Sequence, residues 1–207
     1  MKENEFKSIL TKAVEVTLIG PLLTKHPQKV DHPFIYVDRG DHYKQLIRKA
    51  SKEGYFDISV GDGDSSEAPL DITLPSQKNY SDLKFALDLL PSNIKKANLW
   101  GFLGGRRDHE FLNFGEVHNS LLKSLPNTVF SFEELVYAKN KGILKLEING
   151  TFSLVVFQKT EVKIEGNCQY KLPNFTEISA FSSHGLSNLG QGEVIIEANA
   201  PFFLFLS

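Results

Sequence analysis

Gly101-Phe102-Leu103-Gly104-Gly105-Arg106-Arg107-Asp108-His109 stands where an apolar, strand-like run gives way to a segment with helical spacing. A glycine pair, two arginines, an acid and a histidine follow one another across that junction. Main-chain N–H groups, a helix N-terminus and fixed cations therefore meet at one place, which is what a polyphosphate needs. Read with Gly61-Asp62-Gly63-Asp64-Ser65 upstream, the junction suggests a nucleotide held through phosphate and metal.

The same alternation of period extends on the N-terminal side. Val14 to Ile19 is a short apolar run ending at Gly20-Pro21, Phe34 to Val37 ends at Asp38-Arg39-Gly40, and Phe56, Ile58 and Val60 alternate with polar residues before Gly61. Between these runs, Tyr43, Leu46, Ile47 and Ala50 have helical spacing, as do Leu83, Ala86, Leu87 and Leu90 behind Ser81 as an N-cap, and Phe111, Phe114, Val117, Leu121 and Leu122. Strand alternating with helix predicts an α/β domain, a mostly parallel sheet with flanking helices, over residues 1–142. Ligands of such sheets bind beyond the carboxyl ends of the strands, where the polar motifs fall.

After that the period becomes two. Leu144, Leu146 and Ile148 alternate with Lys145, Glu147 and Asn149, Asn149-Gly150 offers a hairpin turn, and Phe152, Leu154 and Val156 resume. Val162 and Ile164, then Val194, Ile196 and Phe202 to Leu206 beyond a polar Ser182 to Gly192 loop, complete an all-β, sandwich-like domain over 143–207. The Leu125 to Gly142 segment reads as its connection to the first domain.

Composition narrows the function classes. The 207 residues carry a formal net charge of −2, with 41% hydrophobic and 23% charged residues, which argues against a nucleic-acid binder that relies on an overall basic field. One cysteine, Cys168, allows neither an internal disulfide nor a thiolate zinc site; it reads as an inert thiol. Met1 to Phe6 is charged and polar, and no apolar run approaches the roughly 20 residues of a membrane span, so a cytoplasmic protein with no membrane partner is expected.

Asp62 and Asp64 are two apart, so on an extended segment both carboxylates project to one side, with Gly63 free to turn between them. Close carboxylates repel unless a cation lies between them, and Mg²⁺ shared with substrate phosphates is the usual solution. The same residues also suit a plain surface turn. Glu67 and Thr73 stand at the glycine and bidentate-acid positions of a calcium loop, which argues against one. Asp82 sits in the first turn of the helix after Ser81, where it favours the helix dipole whatever else it does. Asp108 can cap a helix beginning near Glu110.

Taken in order, these motifs resemble the thiamin pyrophosphokinase family. Gly61 to Ser65 match a Gly-Asp-Phe-Asp-Ser motif with Gly63 for phenylalanine; Pro75 to Asp82 match Pro-x-x-Lys-Asp-x-Thr-Asp with Asn79 for the first aspartate and Ser81 for threonine. Gly104 to His109 match Gly-Gly-Arg-x-Asp-His throughout, and Gly185 to Asn188 match Gly-x-Ser-Asn-Glu with Leu189 for glutamate. Arg39 replaces a glycine in an Asp-Gly-Gly motif that begins at Asp38. The resemblance implies transfer of pyrophosphate from ATP to the hydroxyl of thiamin, with Mg²⁺ and a homodimeric site. It makes Asp62, Asp64 and Asp82 the acidic cluster around metal and phosphates, supported by Asp108. Asp38, Gly104, Gly105, Arg106 and His109 would face ATP, and Ser187 and Asn188 thiamin. The apolar run Phe202 to Leu206 joins the resemblance in predicting a dimer through the β domains. Asn79 and Leu189 leave two other readings open: a pyrophosphokinase for another hydroxymethyl heterocycle, and a weakened nucleotide- or thiamin-binding protein.

Overall fold

In a computed structural model, residues 3–25, 27, 32–50, 56–64 and 69–207 are described; Ser65 and Glu67 lie outside them. Strands β1 (Glu15–Ile19), β2 (Phe34–Val37), β3 (Asp57–Gly61), β4 (Ile72–Thr73), β5 (Lys96–Trp100) and β6 (Val129–Phe132) pair in parallel in the order β4-β3-β2-β1-β5-β6. Helices α1 (Glu3–Leu10), α2 (Lys44–Ala50), α3 (Asp82–Asp88) and α4 (Arg107–Lys123) cover them. Phe6 and Leu10 of α1, Leu83 and Leu87 of α3 and Phe114, Val117 and Leu121 of α4 pack with Val16, Leu18, Ile35, Val37 and Leu99 on one face. On the other, Ile47 of α2 packs with Ile19, Phe34, Tyr36 and Trp100. Apolar side chains on both faces are what a parallel sheet requires.

The α/β expectation holds from β1 to β6 only, since the pairing turns antiparallel before residue 142 and the strands beyond continue the same sheet where a sandwich-like arrangement was expected; Ser81 caps α3, its Oγ accepting the Lys84 N–H at 3.0 Å. Three local expectations are corrected. Helix α4 begins at Arg107, so Asp108 lies inside its first turn while Arg106, which makes no side-chain cap, holds the N-cap position. Phe111 and Leu122, assigned to the apolar face of α4, are exposed, because only Phe114, Val117, Ser120 and Leu121 turn fully inward. Leu125 to Gly142 is no mere connection: it supplies β6 and β7 (Val136–Lys139).

Between β6 and β7 the pairing turns antiparallel. Beyond them follow β8 (Gly142–Val155), β9 (Thr160–Cys168), β10 (Leu172–Ile178), β11 (Asn188–Ala198) and β12 (Phe202–Leu206), in the order β10-β9-β11-β8-β12-β7. All twelve strands thus belong to one mixed sheet. Part of the segment read as a loop is strand, since β11 starts at Asn188 and pairs with β8 in unbroken register from Asn188↔Phe152 to Ala198↔Gly142.

β12 lies between β7 and β8 rather than at an edge. Phe202 and Leu204 enter the cluster formed with Ile148, Phe152, Val162 and Val194, while Phe203 enters the helix-covered core beside Phe114. Its two apolar faces are therefore satisfied within one chain, and this run supplies no separate argument for a dimer. No helix among the described residues is long and apolar enough to cross a membrane.

Candidate active site

Strand order runs outward from β1 to β4 on one side and from β5 to β6 on the other, so a crevice opens where β1 and β5 end side by side. There a cavity of about 390 Å³ is lined by Pro21 and Leu22 after β1, Val37 and Asp38 at the end of β2, and Gly101, Phe102, Gly104, Gly105 and Arg106 after β5. Lys78 and Asp82 before and at the start of α3, and His109 and Glu110 in α4, complete the polar wall. The segment quoted first above thus forms one side of the cleft.

The acids gather by register. Val37 pairs with Val60, which sets the end of β2 beside the end of β3. Gly61 makes the approach close enough, since a Cβ there would lie 3.2 Å from the Asp38 Cα. Asp38 itself adopts φ 54°, a left-handed conformation that aspartate tolerates better than most residues. Asp62 and Asp64 project from a turn, with Gly63 at φ 79° and the Asp62 carboxylate accepting the Asp64 N–H at 3.3 Å, rather than from the extended segment expected. One oxygen from each of Asp38, Asp62 and Asp64 lies within 4.8 Å of the others.

Asp82 joins the group through Lys78, whose ammonium is 3.0 Å from Asp82 and 3.5 Å from Asp62. Burial disfavours the Lys78 charge, yet its contacts with Asp82 and Asp62 outweigh that and raise its pKa. The Asp64 N–H and then Lys78 hold Asp62 below the usual carboxylate range. Asp38 moves the other way: burial, then Asp82, Asp64 and Asp62, push its carboxyl up. Four carboxylates gather around one ammonium and are short of positive charge, and their repulsion adds to the effect of burial on Asp38. The donor set, all carboxylate oxygen, fits a hard divalent cation such as Mg²⁺.

In the same cavity lining as Asp38 and Asp82, Gly104 and Gly105 turn through φ 81° and 71°, a path that L side chains resist. Arg106 and His109 follow on the cavity wall. Asp108 is exposed, outside the cavity lining, and bound to Arg106, which holds its carboxyl down at about 2. Asn79 faces a neighbouring cavity of about 340 Å³ together with His109 and Asn113.

Ser187 and Asn188 lie elsewhere, just before and at the start of β11. Asn188 borders a separate cavity of about 430 Å³ lined also by Tyr170, Lys171 and His184. Its buried side chain clamps a turn, accepting the Tyr170 N–H at 2.9 Å and donating to the Tyr170 carbonyl at 2.6 Å. Ser187 adopts φ 57° and donates its N–H to the Ser153 Oγ. Within one chain, then, the structure brings Asp38, Asp82, Gly104, Gly105, Arg106 and His109 to one cleft and leaves Ser187 and Asn188 in the antiparallel part.

Three residues passed over in the sequence shape the cleft. Lys78 could have been found from its spacing of four from Asp82. Glu133 accepts the Gly101 N–H at 2.8 Å from the β6–β7 turn, and Glu110 accepts the Gly104 N–H at 2.6 Å; a lone acid carries no sequence signal for either contact.

No family model and no curated protein matches the sequence. Solved structures do. The chain is similar to the thiamine pyrophosphokinase of Bacillus subtilis (TM-score 0.66, 18% identity, 93% of this chain and 98% of that one). It is similar also to the thiamin pyrophosphokinases of Geobacillus thermodenitrificans (0.67, 21%, 93% and 97%) and Candida albicans (0.68, 12%, 95% and 89%). The chain has the fold of these proteins across nearly its whole length, in agreement with the resemblance read from its motifs.

Proposed function

We propose that the protein is a Mg²⁺-dependent thiamin pyrophosphokinase, moving the β- and γ-phosphoryl groups of ATP to the hydroxyl of thiamin and releasing AMP. The observation that carries this reading is that Asp38, with one carboxylate oxygen within 4.8 Å of one each from Asp62 and Asp64, lines the same cleft as the Gly104–Gly105 turn. Phosphoryl-type transfer needs positioning and charge neutralisation and no covalent nucleophile, and the cleft offers both. Asp38, Asp62 and Asp64 would hold Mg²⁺, which when bound offsets charge on the phosphate oxygens. Lys78 keeps Asp62 and Asp82 in place. The main-chain N–H groups of the glycine turn and the Arg106 guanidinium would orient the triphosphate, with His109 beside them and Asp108 fixing Arg106. In this reading the hydroxyl oxygen bonds to the β-phosphorus and its proton passes to solvent, while the bond from that phosphorus to the oxygen bridging to the α-phosphate breaks and AMP leaves with that oxygen.

Thiamin would reach the cleft with help from a second subunit, since Ser187 and Asn188 lie apart from it in one chain; a homodimer belongs to the proposal for that reason. An ATP-using reaction of this kind also suits the cytoplasm. A different heterocyclic alcohol is the second reading, favoured by the commitment of Asn188 to Tyr170 and by apolar Leu189 beside it.

Incubation with ATP, Mg²⁺ and thiamin, with nucleotides and thiamin esters separated by chromatography, is expected to give AMP and thiamin diphosphate in equal amounts. AMP formed only with another hydroxymethyl heterocycle would keep the chemistry and replace the substrate. Tight ATP binding with no acceptor-dependent AMP would make the protein a binder.

A further inference from the structure

Glu110 lines the cleft beside the glycine turn, and the proposed reaction gives it no part. It stands one turn into α4, its N–H donating to the Arg106 carbonyl at 3.1 Å, and its side chain bends back so that Oε2 accepts the Gly104 N–H at 2.6 Å. It lines the cavity with Gly104, Gly105 and Arg106. Among the described residues it has no ion-pair partner, because Arg106 is engaged with Asp108. An anionic oxygen at hydrogen-bond distance from the donor of a glycine turn occupies the place a phosphate oxygen would take.

We infer that Glu110 is a displaceable latch: its carboxylate holds the glycine turn in shape in the free protein and yields the Gly104 N–H to an oxygen of a nucleoside triphosphate. This rests on the nucleotide reading above and adds to it a residue that sets the threshold for polyphosphate binding. A short charged hydrogen bond must be given up, and the carboxylate must leave the neighbourhood of an incoming polyanion. Ligands with one weak anionic group cannot drive that exchange, whereas a triphosphate can. Glu110→Gln keeps an acceptor for Gly104 while removing the charge; Glu110→Asp keeps the charge and withdraws it by one methylene.

The test is calorimetric titration of the whole protein and both variants with inorganic triphosphate and with ATP, in Mg²⁺. The latch requires both variants to bind triphosphate more tightly than the parent, by about tenfold for Glu110→Gln, the difference between a charged and a neutral hydrogen bond. Tightening by Glu110→Gln alone would reduce Glu110 to a repelling charge and overturn the exchange. Unchanged or weaker binding in both would make the contact a helix-end brace and likewise overturn it. Absence of triphosphate and ATP binding in all three proteins would remove the nucleotide reading and the latch with it, a result distinct from parent binding that the variants fail to improve.

Discussion

Asp38 faces Asp82, Asp64 and Asp62 from a half-buried position, and the fold disfavours its charge. Because folding raises this carboxyl above its ordinary value of 3.8, its ionisation opposes stability at neutral pH. That cost is absent below the unfolded-chain value and grows as pH rises through the raised folded value. Asp38→Asn, which suits φ 54° equally well, is therefore expected to melt a few degrees higher than the parent at about pH 8 in chelator, with the gap closing toward about pH 4. The same variant should raise the Mg²⁺ needed for half-maximal turnover at least about tenfold, the effect of disturbing even a ligand's partner. A melting gap that is constant with pH would exclude charge as its cause. In the sequence, Asp62 and Asp64 announced themselves by flanking a glycine. The approach of Asp38 could not be read there, because it depends on the pairing of Val37 with Val60 and not on spacing along the chain.

Turns between elements carry the rest of the cleft, and two of them allow a matched comparison. Gly104 at φ 81° and Gly63 at φ 79° each have open space where a Cβ would go, so alanine at either meets backbone strain alone, about 1–2 kcal/mol. Gly104→Ala is expected to raise the KM for ATP, and Gly63→Ala the Mg²⁺ requirement, with similar small losses in melting temperature. Steady-state kinetics over ATP and Mg²⁺ titrations separates them, and the same parameter moving in both variants would dissolve the division of labour. Helix α3, with an apolar face and Ser81 as its cap, was legible from the sequence, and α2 from its periodicity. β6 and β7 were not, because each is four residues long and the Glu133–Leu135 turn between them contains no glycine, proline or asparagine. The first turns of β11 pairing escaped for the opposite reason: Gly190 and Gly192 suggest a loop, yet a Cβ on Gly190 would come within 2.7 Å of the Ile148 carbonyl oxygen, so the strand needs its glycine.

At the scale of the whole molecule, Phe203 ties the two kinds of pairing together. It is fully buried in β12, edge-on to Phe114 of α4 at 5.8 Å and stacked on Phe157 at 4.7 Å. Phe203→Ala should cost about 3–5 kcal/mol and lower the stability of the helix-covered part as much as that of the antiparallel part. Trp100, the only tryptophan, ends β5 in the parallel part, so its fluorescence and far-ultraviolet circular dichroism follow different regions during denaturation. Their transitions are expected to coincide in the parent and to shift together in Phe203→Ala; separated midpoints would show that the sheet melts in two pieces. The apolar run at β12 was visible in the sequence, but whether such a run meets a second chain or its own is decided by strands far away along the chain. The position of β12 has a bearing on the order of assembly as well. β12 follows β7 and β8 along the chain yet lies between them, so those two strands cannot take their final places until it arrives, and before then Phe114 has Phe132 against it but neither Phe203 nor Phe205.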